Sequence, residues 1–377
     1  MKIPYGKHRI LEEDINCVVD VLKSEYITCG PKIEEFENFI ADMHDAKYAV
    51  AFCNGTAALH ASYYALGVTD GDEIITTPIT FAATANAAIY CGGKPVFADI
   101  SMETYCLDPV SVENCINSNT KVITPVAFSG YPVELKAFRE IADKNNCKIL
   151  YDAAHGVGSR RDGSFGMEYI DVAILSFHPV KHIACGEGGM VLTNDIDVYE
   201  KLKLFRTHGI VKNISMKDTY EGDWAYDMVD LGYNYRMSDI LAALGISQAK
   251  RLEENIKDRN SIADRYFEAF EHIDGIVLPP HVKGNNRHAY HLFVIRTESE
   301  ERRKQLYDYL HKEGIMVQVH YIPIYKFSYY KKTFSYDNEY MNAEEYYKTC
   351  LSLPMYHGME KETQEYVINK ILEFFGK

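Results

Sequence analysis

Ser176-Phe177-His178-Pro179-Val180-Lys181, followed by the glycine turn Gly186-Glu187-Gly188-Gly189, is the stretch on which the reading of this chain rests. The apolar run at 171–175 leads into it, so a hydroxyl and then an amine arrive at what reads as a strand exit. A lysine placed there can form a Schiff base with an aldehyde if it is free of its proton for part of a cycle. Partial burial near another cationic centre lowers its pKa in that direction. Most lysines are exposed surface charge, so the surroundings must show that this one is chemical. The glycine turn runs directly into another apolar stretch, 190–193, which would hold the lysine loop tightly.

Outward from this stretch, short runs rich in β-branched residues recur at 73–77, 95–100, 122–126, 148–151, 172–176 and 190–193. Helical patterns lie between several of them, at 57–66, 82–91, 133–145 and 198–207. Strands separated by helices imply βαβ units and a mostly parallel, buried sheet, here over about residues 45–245. A helix is expected at 12–24, and a long one at 238–271 that carries the chain out of this unit. A second α/β unit should follow, with strands at 291–296 and 316–320 and helices at 300–313 and 361–375. The resulting division is a large unit with the N-terminal segment over 1–250 and a small C-terminal unit over 251–377.

Composition narrows the function classes. The chain has 377 residues, and 40 Lys and Arg against 54 Asp and Glu give a formal charge of −14. That balance argues against general affinity for nucleic acid or anionic membrane, though not against a local phosphate site. No signal region and no apolar run of about 20 residues is visible, so a soluble cytoplasmic protein is expected. The nine cysteines form no CxxC pair or zinc-like spacing, which favours reduced thiols and no metal site. The 29 tyrosines, several of them between 321 and 347, could form an aromatic core or a surface for a flat or sugar-like ligand.

Three more constellations bear on the lysine. Asn54-Gly55-Thr56-Ala57-Ala58-Leu59 opens a helix with small residues, so backbone N–H groups and the Thr56 hydroxyl could cradle an anion; an ordinary cap by Asn54 or Thr56 is the alternative. Lys148-Ile149-Leu150-Tyr151-Asp152-Ala153-Ala154-His155 ends an apolar strand in a carboxylate, at the sheet edge where open α/β folds bind ligands. A protonated pyridine nitrogen would satisfy Asp152, with His155 close enough to share the ligand; a helix-capping Asp with a core histidine is the alternative. In Gly232-Tyr233-Asn234-Tyr235-Arg236, alternate residues of an extended segment aim Asn234 and Arg236 the same way; a polar segment before a helix cap at Ser238 is the alternative. An anion cradle, an aromatic at Phe81, a strand-end Asp152 and the Ser176 and Lys181 pair are together the requirements of pyridoxal 5'-phosphate.

At these motifs the chain resembles the DegT/DnrJ/EryC1/StrS sugar aminotransferase family, through 54–59, Thr80-Phe81-Ala82-Ala83-Thr84-Ala85-Asn86, 176–181, 186–189, Arg206-Thr207-His208-Gly209 and 232–236. The resemblance implies an α/β, type I PLP-dependent transferase fold, aspartate aminotransferase-like, with a mainly parallel seven-stranded sheet and a smaller C-terminal α/β domain. It makes Lys181 the Schiff-base lysine and general acid/base, with pyridoxamine phosphate as the amino-carrying form. Asp152 would pair with the pyridinium, Phe81 would stack on the ring, and His155 would lie near the ring hydroxyl. Gly55, Thr56 and Ser176 would hold the phosphate, with Asn234 reaching it from the other subunit of a homodimer. Tyr5, Glu25, Tyr26, Ile27, Thr28, His320 and Tyr321 match positions lining a nucleotide-sugar site. The implied reaction is amination at C4 of a UDP-linked 4-keto-6-deoxy amino sugar with L-glutamate as donor.

A related 3-dehydratase class carries His at the lysine position, and Lys181 argues against it. A non-catalytic cofactor-binding regulator would need loss of chemistry with Lys181 and Asp152 retained. The chain departs from the family at His182-Ile183-Ala184-Cys185, where relatives often carry Pro-Ile-Thr-Thr, and at Tyr151, often Asp. The first departure is expected to alter the pocket wall.

Overall fold

The computed structural model describes residues 2–212, 222, 224–336 and 339–377. Its main sheet contains β1 (Tyr48–Phe52), β2 (Glu73–Thr76), β3 (Lys94–Phe97), β4 (Thr120–Thr124), β5 (Lys148–Asp152), β6 (Val172–Ser176) and β7 (Gly189–Thr193). They lie side by side in the order β1-β7-β6-β5-β4-β2-β3. The five strands from β3 to β6 are parallel to their neighbours. β7 runs antiparallel to both β6 and β1, because no helix intervenes between β6 and β7 to carry the chain back across the sheet.

Both faces of the sheet are covered, which explains why its strands read as continuous apolar runs rather than alternating ones. Val172 and Ile174 pack with Leu59, Tyr63, Leu202 and Phe205 on one side. The intervening Ala173 and Leu175 pack with Phe36, Phe138 and Ile246 on the other. The helices that seal these faces are Gly55–Ala65 and Ile196–Arg206 on the first, and Pro31–Met43, Leu135–Asn145 and Asp239–Ala249 on the second. Gly189 is required where β7 begins: a Cβ there would lie 2.4 Å from the Asn54 carbonyl oxygen, so only glycine lets the turn before Gly55–Ala65 close against the sheet.

A smaller three-stranded antiparallel sheet joins Ile276–Val277, Phe293–Thr297 and Cys350–Leu353. Helices Glu300–Lys312 and Lys361–Phe374 bury Leu306, Leu310, Val367 and Ile371 in the core beside it. Two expectations need correction. The segment at 316–320 is not a strand: after Gln318 exchanges two backbone hydrogen bonds with Ser352, the chain leaves the sheet. The long helix expected at 238–271 is two helices, Asp239–Ala249 and Leu252–Phe270. The intervening Arg251 has φ −105° and ψ 11°, and its side chain is drawn aside to an acidic pair, Glu13 and Asp14.

The tyrosines of the C-terminal third are mostly packing groups. Tyr325, Tyr330, Tyr336 and Tyr340 surround Phe97 with ring centroids 5.0–6.4 Å away. Among the described residues no helix is long and apolar enough to cross a membrane. The nine cysteines are all free, and no group of side chains suited to a metal ion occurs among the described residues.

The interaction that ties the N-terminal helix Glu12–Leu22 to the rest is buried. Asp14 is fully enclosed, accepts from both Arg251 Nη2 contacts at 2.7 and 2.9 Å, and also accepts from Gln248 and the Leu11 N–H. Replacing one partner strands a buried charge, which typically costs about 3–5 kcal/mol. Arg251→Met should therefore lower the unfolding free energy by about 3 kcal/mol in urea titration; a change within about 0.5 kcal/mol would show that Gln248 and Leu11 suffice for Asp14.

Candidate active site

The parallel register of β5 with β6 places Asp152 opposite Ile174, so the ends of both strands open on the same edge of the sheet. Ser176 is the last residue of β6, and the loop beyond it turns back at once: the Lys181 N–H donates to the His178 carbonyl, and Phe177 exchanges backbone hydrogen bonds with Cys185 and Gly188. Lys181 is thus held on a short, pinned loop beside the end of β5. Its residue surface remains partly open.

Asp152 is 3% exposed. Its two oxygens accept from Thr84 Oγ1 at 2.7 Å and from the Ala154 N–H at 3.1 Å, and no ion pair reaches it among the described residues. Burial pushes its pKa up, while the Thr84 and Ala154 hydrogen bonds and the positive field of Lys181 pull it down. A buried carboxylate with donors but no contacting cation suits a protonated ring nitrogen. His155 lies 5% exposed beside it, its Nε2 3.3 Å from the Tyr321 hydroxyl and its Nδ1 without a partner. That orphaned nitrogen is a ready contact for a polar substituent on such a ring.

Across from Lys181, helix Gly55–Ala65 points its N-terminus at Ser176. Asn54 caps it, accepting from the Ala57 N–H at 2.8 Å. The cap leaves the N–H groups of Gly55 and Thr56 with no partner among the described residues. A Cβ on Gly55 would stand 3.2 Å from Ser176 Oγ, so glycine keeps the helix start open toward that hydroxyl. Two free N–H groups, the positive end of a helix and a serine are what an anion cradle needs. The ordinary Asn54 cap is present and leaves those two N–H groups free among the described residues.

Phe81 is 61% exposed, with its ring 6.3 Å from that of Tyr321. The His320 ring lies 5.4 Å from that of Tyr5, and its Nδ1 is 2.8 Å from Ser352 Oγ. Burial pushes the His320 pKa down to about 4 and pushes the Tyr321 phenol up, so both are neutral hydrogen-bonding groups near pH 7. Ring contacts, hydrogen bonds and the field of Lys181 thus link Lys181, Asp152, His155, Tyr321, Phe81, His320 and Tyr5, while Gly55 stands beside Ser176.

Other expected residues stand apart in the single chain. The segment Glu25, Tyr26, Ile27 and Thr28 is exposed and tied to the start of helix Asp239–Ala249, where the Asp239 N–H donates to the Ile27 carbonyl. Asn234 is exposed, in a backbone bridge to Thr207. No hydrogen bond, ion pair or ring contact among the described residues joins either to Lys181. The departing residues His182, Ile183, Ala184 and Cys185 lie on the lysine's own loop and are all buried. His182 Nε2 meets the Ala289 carbonyl at 2.9 Å, and its own carbonyl accepts from Asn255.

Three participants were not singled out from the sequence. Thr84 holds Asp152, within a motif quoted only for its likeness. His291 brings its Nε2 to 3.5 Å from Lys181 Nζ. Arg259 is buried on helix Leu252–Phe270 and donates to Asn255 and to the carbonyls of Tyr290 and Met355. The Thr80–Asn86 motif could have pointed to Thr84; nothing local marks the other two.

Burial pushes the Lys181 amine down to about 7, Asp152 works against that shift, and Arg259 adds to it. Only the unprotonated amine attacks an aldehyde. Trapping of an aldehyde on Lys181 in the ligand-free protein, by borohydride and peptide mass spectrometry, should therefore rise with pH and level off above about 7. A midpoint near 10.5, the ordinary value for lysine, would show that the amine is not desolvated.

Residues 8–372 match the DegT/DnrJ/EryC1/StrS aminotransferase family. The spore coat polysaccharide biosynthesis protein SpsC of Bacillus subtilis is 38% identical over 378 residues, 98% of this chain and 96% of that protein. The UDP-4-amino-4,6-dideoxy-N-acetyl-beta-L-altrosamine transaminase of Campylobacter jejuni is 36% identical over 379 residues, covering 100% of this chain and 98% of that one. Among solved structures, Helicobacter pylori PseC, an aminotransferase of pseudaminic acid biosynthesis, superposes with a TM-score of 0.94 at 31% identity over the full length of both chains. The fold, the lysine on the loop after β6 and these likenesses agree: the chain belongs to the DegT/DnrJ/EryC1/StrS aminotransferase family and is a pyridoxal-phosphate-dependent sugar aminotransferase.

Proposed function

We propose that the protein transfers the amino group of L-glutamate to C4 of UDP-2-acetamido-2,6-dideoxy-β-L-arabino-hex-4-ulose. The product would be UDP-4-amino-4,6-dideoxy-N-acetyl-β-L-altrosamine, a precursor of pseudaminic acid. The observation that carries the reaction type is the desolvated Lys181 amine beside a buried Asp152 that lacks a contacting cation. The sugar is argued from likeness to the Campylobacter transaminase and to PseC. A second reading, amination of another nucleotide 4-keto-6-deoxy sugar, is favoured by the comparable likeness to SpsC.

When bound, pyridoxal phosphate supplies an aldehyde for attachment and a ring that accepts electrons. Lys181 would hold it covalently and, once released, carry a proton from the amino-bearing carbon of glutamate and later to C4 of the sugar. Asp152, fixed by Thr84 and the Ala154 N–H, would keep the ring nitrogen protonated. Phe81 would cover one ring face and His155 would meet the ring hydroxyl. Gly55, Thr56 and Ser176 would hold the phosphate, completed by Asn234 of a second copy. His320, Tyr321 and Tyr5 would seat the sugar, with the 25–28 segment near the nucleotide. We place the division between the large and small units near residue 250, where the two helices break.

Offering both C5 epimers of the UDP 4-keto sugar with glutamate, and identifying the products by NMR, tests the substrate. Amination confined to the epimer with the β-L-arabino configuration supports it, and preference for the other epimer replaces it with the second reading. Lys181→Ala should reduce turnover by at least about 1,000-fold while the protein stays folded; substantial residual transamination would show another lysine to be responsible.

The shared site has its own test. Mixing the inactive variants Lys181→Ala and Asn234→Ala under subunit exchange should restore one complete site per mixed dimer. No recovery of activity, with exchange verified by mass spectrometry, would place Asn234 outside the partner's site.

A further inference from the structure

His291 is enclosed, 5% exposed, and held from both sides. The flanking backbone is fixed by the Ala289 N–H on the Gly130 carbonyl and by the Leu292 N–H on the Ser129 carbonyl. Arg259 donates to the Tyr290 carbonyl at 3.0 Å and approaches the His291 carbonyl at 3.5 Å. The imidazole therefore has little freedom, and its Nε2 faces Lys181 Nζ at 3.5 Å. The contact is long for a hydrogen bond, so the amine can give it up when it turns toward a ligand.

The other ring nitrogen decides the direction of this contact. His291 Nδ1 is buried with no hydrogen-bond partner among the described residues. An orphaned N–H donor is rarer and costlier than an orphaned lone pair. The ring proton therefore belongs on Nε2, aimed at the lysine, and only an unprotonated amine has a lone pair to receive it.

The rest of the surroundings is consistent with this. The groups that sense the charge of Lys181, besides His291, are Asp152 at the end of β5, His155 just beyond it, His178 and His182 on the lysine's own loop, Arg259 on helix Leu252–Phe270, and His320 from the small unit. Asp152 is the single carboxylate among them, and no ion pair joins it to Lys181. Were the freed amine to protonate, pairing with Asp152 would remove both groups from their tasks.

We propose that His291 is the positioning residue of the freed lysine, donating from Nε2 to the Lys181 amine and keeping it apart from Asp152 between its periods of covalent attachment. This rests on Lys181 being the lysine that binds the cofactor aldehyde, as proposed above. Its consequence is that the amine is available to take a proton from a substrate carbon whenever it is released.

The test uses cofactor-free protein labelled with 15N-lysine. The pH midpoint of the Lys181 Nζ resonance and the rate of pyridoxal phosphate uptake are compared among wild type, His291→Phe and His291→Gln. Phe keeps a planar ring without a donor, and Gln restores a donor at similar reach. In His291→Phe the midpoint should rise by about one pH unit, with uptake at pH 7 slowed about fivefold, and Gln should recover most of both. His291→Met replaces Phe if circular dichroism shows the latter unfolded. A midpoint that stays or falls in the donor-less variant, or that moves equally with Gln, overturns the proposal. Borohydride trapping separates the two readings: no adduct on Lys181 in wild type overturns the assignment of the lysine, whereas adducts in all variants with coincident midpoints overturn the role of His291 alone.

Discussion

The register of β5 against β6 is the constraint on which the site depends. Asp152 and Ser176 end neighbouring parallel strands, and Lys181 follows on a loop too tightly pinned to wander. A shift of one residue in either strand would turn Asp152 into a sheet face and exchange the two apolar sets on which Ala173 and Ile174 depend. The apolar packing on both faces thus enforces the register, and the register places the carboxylate and the amine. Stability and chemistry are set here by the same side-chain alternation.

The return strand β7 adds a second fixed point. Because it runs antiparallel between β6 and β1, its first residue meets the turn that opens helix Gly55–Ala65. Gly189 admits the Asn54 carbonyl there, and the helix start is thereby brought beside Ser176. A helix start and the end of β6, more than 100 residues apart in the chain, are held against each other by a close backbone approach.

The wall opposite the sheet comes from the second half of the chain. Arg259, buried with no ion pair among the described residues, is satisfied by carbonyls and Asn255, and so binds the segment carrying His291 to the helix behind the lysine. Its charge also helps to keep the Lys181 amine unprotonated near neutral pH. A buried cation without an ion-pair partner is costly. Its presence at this place is accounted for by what it does to its neighbours.

Much of this was legible in the sequence where information is local. The alternation of apolar runs and helical patterns identified the main sheet, and the strand-end Asp152 and the Ser176 and Lys181 pair lie in short contiguous motifs. Helix ends and strand partners were harder: Arg251 breaks a continuous helical pattern because its side chain is claimed by Asp14, 237 residues away, and no glycine or proline announces it. His291 approaches Lys181 across 110 residues and Tyr321 meets His155 across 166; neither has any local signature. The sequence by itself determined the α/β fold and offered candidates for binding a carbonyl cofactor, because that chemistry resides in residue types at strand and helix ends. Only the tertiary structure decided which neutral groups surround the lysine and in which direction they hydrogen-bond, because desolvation and contact arise when distant segments exclude water together.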